Sequence, residues 1–168
     1  MASSAIKGLA FGAALFGGLQ AGATANRAFV LLAAWERLGV IPWVNFTRAE
    51  NVGVGALFYP VLGLAALLFT VSAAIAFRLD RTERGSRRFP VYAAALLAIV
   101  WATVTRALIL PAMFVLRDAS TDTAQLQQIF LTVSRWSGVN DGLHVLTFGL
   151  NLWALVAIFS GPKKIARQ

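Results

Sequence analysis

A chain of 168 residues that is 58% hydrophobic and only 13% charged, with a mean hydropathy of +0.71, has too little interior to hide its apolar surface from water. Its formal charge of +8 comes from fifteen Lys and Arg spread over short connections with no continuous basic face, which excludes nucleic acid as a partner. Cysteine is absent and His144 is the lone histidine, which excludes disulfides, thiolate chemistry and a His-rich metal site.

One membrane domain, residues 1–168, with the lipid bilayer as its first partner, accommodates these facts. Four segments reach the roughly 20 apolar residues that cross about 30 Å of hydrocarbon. In chain order they run near Ala5 to Ala25, Val52 to Phe77, Val91 to Leu116 and Val139 to Ser160. Each is expected to be helical, because an isolated strand leaves its backbone polar groups unsatisfied in lipid. The expected fold is therefore all-α, an integral membrane four-helix bundle. The first segment has the look of a signal peptide, but Lys7 is its only positive charge and its apolar run is too long, so retention as a span is expected.

Two connections predict short interfacial helices. From Phe29 to Leu38 the chain reads as one such piece, stopped by Pro42. In the other, Leu126, Ile129, Phe130, Val133 and Trp136 recur at helical spacing, and Gly138 is expected to end that helix before the last span. The connection from Arg78 to Pro90 is short and densely charged. Lys and Arg on its side of the bundle number nine, at 7, 78, 81, 84, 87, 88, 163, 164 and 167, against five at 27, 37, 48, 117 and 135. That excess places both termini in the cytoplasm, and the expected location is a bacterial cytoplasmic membrane. Gly8 with Gly12 and Gly18 with Gly22 give two close-approach spacings on the first span, facing an internal helix or a second copy.

Ionisable groups at membrane depth are costly, so each is a functional candidate until a partner is named. Arg106 lies about 15 Å from the outer end of the third span. In the fourth span Asn140, His144, Thr147 and Asn151 share one helical face. Asp141, three residues before His144, is placed to orient the imidazole. Gln20, Thr24 and Arg27 on the first span, Thr103 and Arg106 on the third, and Arg48, Glu50 and Asn51 entering the second add hydrogen-bonding groups at the same level. The outer half of the bundle thus gathers polar groups from all four helices, while the inner half is nearly pure Ala, Leu, Ile, Val and Phe. Structural roles stand beside the functional ones. Arg106 pairs with Glu50 or Asp141 as a bridge, snorkels to the headgroups, or serves a ligand, and His144 is either a packing residue or a base.

A metal held by Glu50, Asp141 and His144 is opposed by the arginines expected beside it, which favour a small aromatic or anionic, carbonyl-bearing ligand. No metal and no cofactor are expected. The expected catalytic set is His144, Asp141 and Arg106, with Arg48, Glu50, Asn51, Gln20, Thr103, Asn140 and Trp136 as ligand contacts.

The glycine-rich first span, the stretch Asn45-Phe46-Thr47-Arg48-Ala49-Glu50-Asn51, Thr103 with Pro111, and Trp136 followed by His144 resemble the anthrone oxygenase-like family of small four-helix membrane proteins. The resemblance covers most of the chain. Family members often carry an Asn shortly after the third-span proline, where this chain has Ala112, Met113 and Phe114. For some members the resemblance implies oxidation of a polycyclic phenolic ketone by molecular oxygen without metal or flavin. His144 would then remove a proton, and Arg48 or Arg106 would stabilise the resulting anion. Two other readings stay open: an accessory subunit that meets a membrane-protein partner or its own copy through the glycines, and a small-solute transporter.

Overall fold

A computed structural model describes residues 3–50, 53, 55–80, 88–118 and 122–160. Among them the regular elements are all helical, as the need to satisfy backbone groups within each segment requires. Helix α1 spans Ser4–Asn26 and begins at Ser3, whose side chain accepts a hydrogen bond from the Ile6 amide at 3.3 Å. It does not stop at the expected end of the first span. A π-helical turn, Arg27–Leu31, carries the chain directly into α2, Leu32–Leu38. Gly39, with φ of 91°, breaks the path, since that backbone conformation favours a residue without Cβ. The expected stop at Pro42 is corrected accordingly. Pro42 lies in the first turn of α3, Val40–Ala49, where a missing amide hydrogen costs nothing.

Helix α4 covers Gly55–Leu79. Helix α5, Arg88–Val104, passes through a second π-helical turn, Thr105–Ile109, into α6, Leu110–Asp118. Helix α7 runs unbroken over 37 residues, Thr123–Phe159, from an Asp122 cap that accepts the Ala124 amide at 3.1 Å. The expected break at Gly138 is therefore also corrected. Gly39 is the only described glycine with positive φ, so Gly138 keeps helical geometry, and the surface helix and the last span are one rod.

Four helical paths are long and apolar enough to cross a membrane: Ser4–Leu38, Gly55–Leu79, Arg88–Leu116 and Thr123–Phe159. The first packs against α4 and α7, and α5 packs against the same two. Chain neighbours are thus spatial neighbours and the last helix closes on the first, the up-and-down arrangement that short connections favour. Lys7 lies over the Phe159 ring, 5.3 Å from its centroid, so the two ends of the described chain share one end of the bundle. That end is called proximal below, and the other distal.

Each end has its own core. The proximal one joins Ile6 and Ala10 of α1, Ala74 and Phe77 of α4, Val91 and Ala95 of α5, and Ala154 and Ile158 of α7. Its many alanines let the rods approach closely. Gly12 gives way to the Phe69 ring and Gly18 to Phe148, whereas a Cβ on Gly8 or Gly22 would meet nothing. One glycine of each spaced pair therefore packs internally, and the other faces outward. The distal core is aromatic and sits above the rods: Trp35, Trp43, Val44, Leu116, Leu126, Ile129 and Phe130, with Trp43 edge-on to Phe130 at 5.0 Å. At about 1.5 Å per residue α7 is about 55 Å long against about 30 Å of hydrocarbon, which leaves its first turns free to build this cap with α2, α3 and α6.

Candidate functional site

Between the two cores lies a polar layer, and α7 supplies most of it. Ser137, Asn140, Asp141, His144, Thr147 and Asn151 are each at least 93% buried. Their spacing keeps them on the side of the rod that faces the bundle. The lowest, Asn151, donates to the Thr70 hydroxyl at 3.1 Å and to the Ala13 carbonyl at 3.4 Å. It ties α7 to α4 and α1 within an otherwise apolar half, an exception to the expected purity of that half. Higher up, His144 Nε2 meets the Asn140 amide at 3.2 Å, and its ring lies against Trp101 at 4.3 Å between centroids.

Asp141 is held by Arg27, which donates to both carboxylate oxygens, through Nε at 3.4 Å and through Nη2. Arg27 opens the first π-helical turn. Such a turn takes one more residue than an α-helical one and so rotates the following side chains relative to a continuous α-helix. Along the α7 axis Asp141 lies about 28 Å from Ser160, which puts the ion pair near the distal edge of a bilayer core.

Beside this pair is a cavity of about 50 Å³. Its polar lining is Arg27, Asp141, Thr47, Ser134 and Ser137, and its apolar wall includes Trp35, Trp43, Ile109 and Met113. Both π-helical turns reach it, the first through Arg27 and Ala28 and the second through Ile109. Gly138 is the one exposed residue of the lining and marks where the cavity meets the surface. The hydroxyls of Thr47 and Ser137 are fully buried yet hydrogen-bond to nothing in the described protein, as does the Asn140 carbonyl oxygen one turn away. Buried polar atoms of this kind are nearly always satisfied, by water or ligand where protein fails. The space admits a few waters or a small molecule.

The expected site residues fall into three groups. Asp141 lines the cavity, and Asn140 and His144 lie just below it, but Asp141 turns to Arg27 and Asn140 takes the imidazole instead. Arg48 donates to the Leu116 carbonyl at 2.9 Å, and Glu50 accepts from Tyr59 at 2.7 Å; both brace the cap and neither lines the cavity. Arg106 and Thr103 are exposed, the latter bonded to the Ile99 carbonyl in its own helix. Trp136 is half-buried under the Arg135 guanidinium. Gln20 is half-buried with an unpartnered carbonyl oxygen, and Asn51 lies outside the described residues. Among the described residues no three His, Asp or Glu side chains gather as metal ligands do.

Thr47, Ser137, Trp35 and Trp43 complete the site without having stood out in the sequence as ligand contacts. Thr47 and Ser137 look like ordinary helix residues, and only their burial without partners marks them. Searches of known protein families, curated proteins and solved structures return no match to this chain. What fold and site define is a class: a helical bundle with four helices long and apolar enough to cross a membrane, and a cavity of mixed polar and apolar lining under an aromatic cap.

Proposed function

We propose that this chain is a small-molecule-binding membrane protein whose site is the distal cavity. The observation that carries this reading is a cavity beside the Arg27–Asp141 pair whose lining includes Thr47 and Ser137, two residues whose buried hydroxyls have no protein partner among the described residues. Leaving such groups unsatisfied costs about 1–3 kcal/mol each, and a bound molecule removes that cost. The Lys and Arg excess that the sequence carries in the 78–90 connection and near the termini supports a cytoplasmic location for both termini, with the cavity toward the opposite side.

Binding has better support than oxygenation. His144, the base that the family resemblance implies, is packed against Trp101 and bonded to Asn140 and does not line the cavity. The volume also falls well short of the about 300–1,000 Å³ that enclose drug-sized ligands, among which a polycyclic ketone belongs. Transport has less support again, because the alanine-rich proximal core offers no polar exit.

The test is a titration of the full chain in lipid nanodiscs with neutral fragments of a few heavy atoms, read on tryptophan indole resonances. Trp35 and Trp43 line the cavity, whereas Trp153 packs against Phe89 elsewhere on the bundle. Saturable shifts confined to Trp35 and Trp43 are expected, and their weakening in Gly138→Leu, which adds bulk at the exposed edge of the lining. Equal movement of Trp153, or none at all, refutes the proposal.

A further inference from the structure

We infer that the cavity takes a small uncharged carbonyl or hydroxyl compound of a few heavy atoms, rather than an anion. This rests on the binding-site reading above. Among the lining residues only Arg27 and Asp141 carry charge, and each is spent on the other. The two remaining cations expected near the site are elsewhere: Arg48 is engaged with the Leu116 carbonyl and Arg106 is exposed outside the lining. The cavity is therefore electrically neutral.

An anion would have to draw Arg27 away from Asp141, whose side chain is 7% exposed, and would strand a buried carboxylate. A cation would have to displace Arg27, which already donates to both Asp141 oxygens. An uncharged guest disturbs neither. Thr47 and Ser137 can each donate to a carbonyl oxygen or accept from a hydroxyl or amide, and Trp35, Trp43, Ile109 and Met113 offer the apolar remainder a dry wall. A lining of both hydroxyl-bearing and apolar residues suits a guest that is amphipathic as well as small.

Three planar probes of the same shape separate charge from size: acetamide, acetate and acetamidinium. Each is titrated by ligand-observed NMR against the full chain in nanodiscs, with empty nanodiscs as the blank. Acetamide is expected to bind saturably, about tenfold more tightly than either ion, and Ser137→Ala or the shape-preserving Thr47→Val is expected to weaken it by up to about tenfold, one net hydrogen bond. Acetate or acetamidinium binding as tightly as acetamide, and weakened by the same substitutions, overturns the neutral class while leaving the site in place. Acetamide binding that both substitutions leave unchanged, or saturable binding of none of the three, overturns the site itself. Tryptophan indole spectra that match wild type show that each variant retains its fold.

Discussion

The two ends of this bundle solve the same packing problem with different side chains. Proximally, alanine and glycine let rods meet along smooth faces, and Ala94 and Ala98 of α5 have no exposed surface at all. Distally, the short helices α2 and α3 hold Trp35 and Trp43 over the rod ends, against Phe130 of α7, and large rigid rings on short supports leave a void that small side chains would have closed. Polar groups then collect where the void is. Close packing excludes chemistry from one end, and imperfect packing admits it at the other.

Substitutions that exchange the character of the two ends should break this contrast. The largest effect is expected from Arg27→Leu, which leaves the Asp141 carboxylate buried without its partner and should cost about 3 kcal/mol of stability in micelle unfolding. The converse change, Asp141→Asn, should cost only about 1 kcal/mol, because the half-buried Arg27 can turn toward headgroups and water. Equal losses for the two would mean that the pair is not buried on one side only.

In the proximal half, Gly12→Val drives a methyl group into the Phe69 ring and should cost about 2 kcal/mol, whereas the outward Gly22→Ala should change stability by less than about 0.5 kcal/mol. A comparable loss at Gly22, measured in the same assay, would show that its face is covered by another chain. A smaller loss, about 0.6 kcal/mol, is expected for Thr70→Val, which removes the acceptor of Asn151 while keeping shape. An effect as small as that of Gly22→Ala is expected for Gly138→Leu, within about 0.5 kcal/mol, since a Cβ there also meets open space. Its consequence should be confined to ligand binding.

Much of this fold is legible in the sequence because hydrophobic length and helical spacing are local quantities. The four spans can be read from apolar runs, and the buried face of α7 from Asn140, His144, Thr147 and Asn151 at spacings of three and four. The pairing of Arg27 rather than Arg106 with Asp141 cannot be read this way. Arg27 and Arg106 both lie in π-helical turns, where an extra residue per turn shifts the facing of side chains away from the regular period. Nor does the sequence announce that Gly138 stays helical, since the same residue ends a helix when it takes positive φ and extends one when it does not. The missing partners of Thr47 and Ser137 are a property of three-dimensional neighbours alone.

The central claim is that the cavity lined by Thr47 and Ser137 is an occupied site that their two hydroxyls turn to meet, and not a dry void. A crystallographic map of the full chain at a resolution that orders waters tests it most directly. Density for water or a small molecule within about 3.2 Å of both Thr47 Oγ1 and Ser137 Oγ, beside an intact Arg27–Asp141 pair, is the expected result. A cavity that is empty, or closed by Trp35 and Trp43 with both hydroxyls bonded to protein carbonyls, would contradict it.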